Sequence, residues 1–414
     1  MSEKTPPAGQ SRRNFLKTLG LGAAAVAAAP ALAATPALAA TPALAAPAAS
    51  MPRRALGKTG VEVPALALGG MFDTINNQLL LRQALNWGVT YWDTAEVYGR
   101  GLSEEGFGRF FARNPDRRKD VFLVTKLTPK EGFDTFPERL EKSLARLNTS
   151  YVDLFFVHGV DSMSQVPPKA RAFAAEMKKA GKIRFFGFSA HANMEELLQA
   201  AAREGGPAAG FDAVMLTYNT SVMHKPAMQA AVETAARAGI GLVAMKTQGM
   251  GPAGTPTEAE ARLAEQFLKR GFTDRQARLK AVWQNGNIAS VCSQMPSINI
   301  LAANVAAARD QTSLTRAELG ALQDLARAER TGYCGGCGRI CQAATGGLPV
   351  NDVMRCLMYH HEYDDPALGR STFAELPAAA RAGLATADYS RAEAACPHRL
   401  EIAKLMREAL ETLA

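Results

Sequence analysis

Val121-Phe122-Leu123-Val124-Thr125-Lys126 and, further along, Leu154-Phe155-Phe156-Val157-His158 are short β-rich runs, each closed by one titratable residue. The pattern extends in both directions. Tyr91-Trp92 runs into Asp93, and Phe185-Phe186-Gly187-Phe188 runs into Ser189. Val214-Met215-Leu216-Thr217 runs into Tyr218, and Leu242-Val243-Ala244-Met245 runs into Lys246. A polar residue closing one apolar strand is ordinary surface chemistry. Six in succession need another reason.

The reason lies in what separates the runs. Strand-like segments at Val63–Gly70, Thr90–Thr94, Val121–Leu127, Val152–His158, Ile183–Ser189, Ala213–Tyr218, Gly241–Lys246 and Ile288–Ser293 alternate with helical stretches. Eight strand–helix units in a row predict an α/β chain whose parallel sheet closes into a (β/α)8 TIM barrel. Asp274–Gln284 reads as an extra helix before the last strand, and Arg53–Val63, with Gly57 and Gly60, as an N-terminal hairpin on the barrel floor. Active sites of such barrels lie at the C-terminal strand ends, so the six closing side chains should meet at one mouth.

The chain has 414 residues, 47% hydrophobic and 21% charged, enough for one large barrel with appendages. Of its net charge of +8, +3 sits in the first fifty residues, leaving +5 scattered among acidic groups. No basic stripe alternates with aromatics, which argues against nucleic-acid binding. Beyond the leader no apolar run approaches the ~20 residues that span a bilayer.

The leader is an address. Ser11-Arg12-Arg13-Asn14-Phe15-Leu16-Lys17 is followed by the Ala-rich apolar stretch Leu19 to Ala29 and by repeated Ala-Leu-Ala-Ala units. The order of charged region, apolar region and small-residue cleavage sites reads as a removable export signal. It resembles the twin-arginine (Tat) type, which implies the Tat machinery as a partner and a periplasmic or otherwise exported location. Three segments follow: 1–50 as signal peptide and Ala/Pro linker, 51–330 as the barrel, and 331–414 as a small, mostly helical, cysteine-containing extension.

Asp93-Thr94-Ala95-Glu96-Val97-Tyr98-Gly99, with Lys126 and His158 closing the next two strands, resembles the aldo/keto reductase family from about Pro52 to Glu329. The resemblance implies hydride transfer between a nicotinamide cofactor, usually NADPH, and the carbonyl carbon of a small aldehyde or ketone. The residue types suit that chemistry. Hydride arrival leaves an alkoxide that needs a proton and charge stabilisation. Tyr98 can donate the proton. A free phenol has a pKa near ~10, and a neighbouring cation such as Lys126 favours the phenolate. Asp93 would hold Lys126, and His158 would orient the carbonyl.

The resemblance also assigns cofactor contacts: Tyr218 stacked on the nicotinamide, Ser189 on the carboxamide, Gly249 and Gly251 approaching the pyrophosphate, and Asn304 facing adenine. Ala190-His191 stands where the family has Asn after the serine, and no cation follows the last strand to grip a 2′-phosphate, so NAD remains an alternative to NADP(H). Lys246 could supply that charge. His191 and His224 read as loop histidines, and Cys292 as a core thiol.

Cys334-Gly335-Gly336-Cys337-Gly338-Arg339-Ile340-Cys341 and Cys396-Pro397 resemble the ferredoxin-like extensions of some aldo/keto reductases. By the ligation rule of two-cluster ferredoxins, Cys334, Cys337, Cys341 and Cys396 would hold one [4Fe–4S] cluster, while Thr345, Thr386, Tyr389 and Ala392 stand where a second set would be. Zinc or a pair of disulfides are the alternatives. Cys356 reads as a helix thiol. A non-catalytic barrel serving as a redox sensor or electron-relay partner is the rival to the enzyme.

Overall fold

The computed structural model describes residues 50–248, 258–328, 334–361 and 365–414. The leader and the segment holding Gly249 and Gly251 lie outside the described residues, as does the barrel–extension boundary near residue 330.

Eight parallel strands close into a barrel: β3 (Leu66–Gly69), β4 (Tyr91–Asp93), β5 (Phe122–Leu127), β6 (Val152–Val157), β7 (Ile183–Ala190), β8 (Ala213–Thr217), β9 (Gly241–Met245) and β10 (Ile288–Gln294). Each strand pairs with its sequence neighbours, and β10 returns to β3 with Val291 opposite Leu66. Alternation along the strands builds two cores. Ala67, Tyr91, Val124, Leu154, Phe156, Met215 and Val243 fill the barrel interior. Trp92, Leu123, Phe155, Phe186, Phe188, Val214 and Leu242 pack outward against the helices.

Val63–Gly70 is not one strand. Its first part joins the floor hairpin, where β1 (Arg53–Ala55) pairs antiparallel with β2 (Glu62–Pro64). The break falls at Ala65, whose carbonyl accepts both Val291 N and Trp283 Nε1, each at 2.8 Å. Leu56 and Val63 from the hairpin belong to the interior core. Gly57, at φ +55, lets the hairpin press on the barrel, since a Cβ there would sit 2.3 Å from Gly239 O.

The extension has its own core. Helices Val350–His361, Pro366–Ala374, Ser390–Ala395 and Ile402–Leu413 bury Val353, Leu357, Phe373, Ala392 and Met406 together with Cys341, Cys356 and Cys396. It rests on the loops that follow four barrel strands. Lys130 pairs with Glu375 at 3.6 Å, and Arg339 with Glu196 at 2.6 Å. Lys225 Nζ lies 3.1 Å from His398 Nε2, and Lys246 Nζ 4.9 Å from the Tyr359 ring centre. Among the described residues, no helix is long and apolar enough to cross a membrane.

Candidate active site

Four strand-end groups meet at the mouth. Asp93 closes β4, Lys126 lies in β5, His158 follows β6, and Tyr98 stands in the loop after β4. Lys126 Nζ donates to Asp93 Oδ1 at 2.5 Å, to Thr94 O at 2.8 Å and to the Tyr98 hydroxyl at 3.4 Å. The Tyr98 and His158 rings meet edge-on with centres 5.7 Å apart. Lys126 and Asp93 are 1% and 2% exposed, so the ion pair is dry. Burial pushes the Asp93 carboxyl up, while Lys126 and the neighbouring Cys292 thiol pull it down.

The Tyr98 loop is held from below. Glu96 N donates to Lys126 O at 3.2 Å, and the Glu96 carboxylate is bound by Arg139. Thr94 Oγ1 and Ser103 Oγ are 2.7 Å apart, and Ser103 Oγ donates to Gly70 O. Glu104, fully buried, accepts from Thr125 Oγ1 and pairs with Arg146 at 2.6 Å. These braces place the phenol beside the ammonium.

His158 is held neutral. Its pKa lies well below the ordinary value, first through burial and then through the cations Lys126, Arg355, Lys130 and Lys246. Among the described residues its buried Nδ1 has no hydrogen-bond partner. A neutral ring has one donor and one acceptor nitrogen, and the tautomer with its proton on Nε2 is the one that could donate to a carbonyl oxygen.

The sequence matches the Aldo/keto reductase family model over residues 67–327. This chain belongs to the aldo/keto reductase family. A relative is the aldo-keto reductase yakc [NADP(+)] of Schizosaccharomyces pombe, 33% identical over 159 residues, 34% of this chain and 46% of the relative. Another is the L-glyceraldehyde 3-phosphate reductase of Escherichia coli K12, 31% identical over 175 residues, 36% of this chain and 49% of the relative. The chain spans about half the length of these curated relatives. A solved thermostable aldo-keto reductase, Tm1743, in complex with the inhibitor epalrestat, superimposes with a TM-score of 0.56 and 27% identity. That superposition covers 66% of this chain and all of the other.

Against that family frame, the cofactor residues divide. Ser189 is buried at the end of β7, its hydroxyl accepting from Gly159 N at 3.1 Å, which ties it to the loop after His158. Asn304 is 2% exposed and shares a closed polar triangle with Ser293 and Gln248: Gln248 Nε2 donates to Asn304 Oδ1 at 3.0 Å, Ser293 Oγ to Gln248 Oε1 at 2.8 Å, and Asn304 Nδ2 to Ser293 Oγ at 3.1 Å. Tyr218 packs in the outer layer between sheet and helices, and its hydroxyl accepts from Asn285 Nδ2 at 2.8 Å. Lys246, at φ +58, sets its ammonium against Tyr359 of the extension. His224 Nδ1 lies 3.0 Å from Thr220 O, inside its loop. A surface groove of about 680 Å³ lined by Met163, Pro168, Arg171 and Glu204 shares no residue with the catalytic set.

The four extension cysteines fall close together. The Cys334 thiol is pushed up to about 12, first by burial and then by Cys337, Cys341 and Cys396; Cys341 is pushed up to about 11 by burial, Cys337 and Cys396. All six cysteines are free thiols. Among the described residues, no group of three or more His, Cys, Asp or Glu side chains is arranged to hold a metal ion. The thiols share one region without the convergence of a preformed metal site.

Sequence reasoning missed three features. Cys292 is not merely a core thiol, since it neighbours the Asp93 carboxylate. His191 joins the mouth, its pKa driven well down by burial and then by Arg355, Lys246, His158 and Lys126. Arg355 and Tyr359 reach the mouth from the extension, and only contacts between segments more than a hundred residues apart could have revealed them.

Proposed function

We propose that this chain is an exported, NADP(H)-linked reductase of small aldehydes or ketones. The observation that carries the reading is the dry Asp93–Lys126 pair holding its ammonium 3.4 Å from the Tyr98 hydroxyl, beside a neutral His158. NADP(H), when bound, supplies the hydride. Ser189 would take its carboxamide, and Asn304, bonded to Gln248 and Ser293, would face its adenine. His158 Nε2–H and the Tyr98 hydroxyl both bond the carbonyl oxygen and orient the carbonyl. Tyr98 gives its proton to that oxygen as negative charge develops. Lys126 stabilises the phenolate left behind, and Asp93 holds the ammonium in place.

NADP over NAD is supported by the named cofactor of the S. pombe relative, while the lack of a cation after β10 speaks for NAD. Parallel assays of NADPH and NADH oxidation with aldehydes settle the choice. Turnover with neither cofactor ends the enzyme reading in favour of a cofactor-binding sensor or relay. One observation favours that second reading: the cysteine loop sits on the loop after Ser189, with Asn193 N donating to Gly336 O at 2.8 Å.

The reading includes export through the twin-arginine route and one [4Fe–4S] cluster on Cys334, Cys337, Cys341 and Cys396. The cluster is supported by the mutual proximity of the four thiols, with Cys341 and Cys396 in the extension's core and Cys334 against it; it requires them to draw closer on loading. Anaerobically purified chain should be brown, with about four irons and broad absorption near 400 nm. Colourless protein without iron ends the cluster proposal, and bound zinc replaces it.

A further inference from the structure

The extension does more than rest on the barrel. Helix Val350–His361 lies at the mouth: Tyr359, 9% exposed, meets the Lys246 ammonium at the end of β9. Arg355 stands one turn earlier, four residues before Tyr359, and so shares its helix face. Its charge is felt by His158, by His191 and by Asp161 in the loop after His158. Asp352 accepts from the Arg355 guanidinium at 2.7 Å, which orients the fork from within the helix. Among the described residues the guanidinium makes no other hydrogen bond, and the side chain is 26% exposed. The fork is therefore held from one side, partly desolvated and still able to donate from its remaining N–H groups.

Around His158 the acting charges are cationic: Lys126, Arg355, Lys130 and Lys246. Lys126 is paired with Asp93, Lys130 with Glu375 and Arg355 with Asp352, while Lys246 faces the Tyr359 ring; of these groups Arg355 alone is a planar fork, with N–H groups beyond the one given to Asp352. Asp161 and Asp352, both next to Arg355, offset part of that field. A planar fork suits a carboxylate or phosphate by paired hydrogen bonds.

We propose that Arg355 is a substrate-specificity residue supplied by the extension, binding an anionic group on the carbonyl substrate while Tyr98 and His158 hold the carbonyl oxygen. The substrate class is then an aldehyde or ketone bearing a carboxylate or phosphate. This rests on the carbonyl-reductase reading above. The catalytic set completes the reaction without Arg355, so the residue sorts substrates and leaves the chemistry unchanged.

The test compares two aldehydes of similar shape, 4-carboxybenzaldehyde and methyl 4-formylbenzoate, on the full chain and on Arg355→Gln. The wild type should favour the acid. Arg355→Gln should lower kcat/KM for the acid by about tenfold to a hundredfold, the worth of a charge-assisted hydrogen bond, and leave the ester within about twofold. Arg355→Lys should fall between, keeping charge but not the fork. Equal losses for acid and ester, or an unchanged acid rate, overturn the proposal. Calorimetric titration of 4-carboxybenzyl alcohol in the presence of NADP⁺ gives a readout free of turnover: binding weakened in Arg355→Gln supports the proposal, and equal or undetectable binding in both overturns it. If neither aldehyde is reduced, the reductase reading fails, and the calorimetry still decides on Arg355.

Discussion

Replacing Gly336 by Ala should detach the cysteine loop from the barrel. Gly336 sits at φ +75, and a Cβ there would lie 2.0 Å from His191 O and 3.1 Å from Ala192 Cα. Both neighbours are backbone, so neither can rotate away. The left-handed conformation costs a residue with a side chain roughly 1–2 kcal/mol. Forcing a methyl against fixed backbone adds about 1–3 kcal/mol. Pushing the loop outward also loses the Asn193 N to Gly336 O hydrogen bond, worth about 1 kcal/mol. The exposed Lys130–Glu375 and Arg339–Glu196 pairs at the same junction offset little, since surface pairs contribute at most about 1 kcal/mol each. The total, about 3–6 kcal/mol, is comparable to the stability of a typical domain. The expected result is loss of hydrogen-exchange protection at the Asn193 amide and faster proteolysis between barrel and extension, with the barrel still folded. Wild-type protection at Asn193 and an unchanged urea profile would refute the docking argument.

Lys126→Met leaves the Asp93 carboxylate buried without its cation, and breaking such a pair costs about 3–5 kcal/mol. Urea denaturation should register it, and adding Asp93→Asn should recover part; a wild-type midpoint would mean that the pair is not dry. His158 and His191 keep depressed pKa values in the fold while the unfolded chain takes up their protons below about pH 6.5. Their contribution to stability is thus whole above that pH and is lost as pH falls toward the folded values, by up to about 1.4 kcal/mol per pH unit per histidine. His191→Asn should flatten the fall in unfolding free energy between about pH 7.5 and 5.5; an equal fall in mutant and wild type would contradict the assigned burial. Arg12→Lys together with Arg13→Lys should hold the chain in the cytoplasm with its leader uncut, as read by cell fractionation. Normal export of that variant would remove the twin-arginine assignment.

The barrel was legible because its signal is local and repeated. Each strand is an apolar run, each helix has its own period, and the catalytic groups stand at strand ends. The misreading at Val63–Gly70 has a plain cause. β2 and β3 are adjacent apolar runs, and the turn between them is set by Ala65 bonding to Val291 and Trp283, more than two hundred residues away in sequence. The helix Gly338–Ala344 was hidden among the Cys and Gly spacing of the cysteine loop. Asp93, Lys126 and His158 were readable from position, whereas the braces Glu96–Arg139 and Glu104–Arg146 join segments about forty residues apart and carry no motif. Tyr218 was assigned to the nicotinamide by the family resemblance, and its parity along β8 groups it with Val214 and Leu216 in the outer layer. Arg355 was out of reach because nothing in helix Val350–His361 announces which barrel loop it will meet.

The central claim is that Tyr98 delivers the proton to a carbonyl oxygen under the charge of Lys126. Tyr98→Phe removes that hydroxyl and leaves the ring, the Asp93–Lys126 pair and the cofactor contacts in place. Steady-state oxidation of NADPH with an aldehyde, measured beside fluorescence titration of NADPH, tests it directly. The account predicts that kcat falls by about a hundredfold or more, the contribution of a positioned general acid, while NADPH affinity stays within about twofold. Turnover by Tyr98→Phe at the wild-type rate would contradict it.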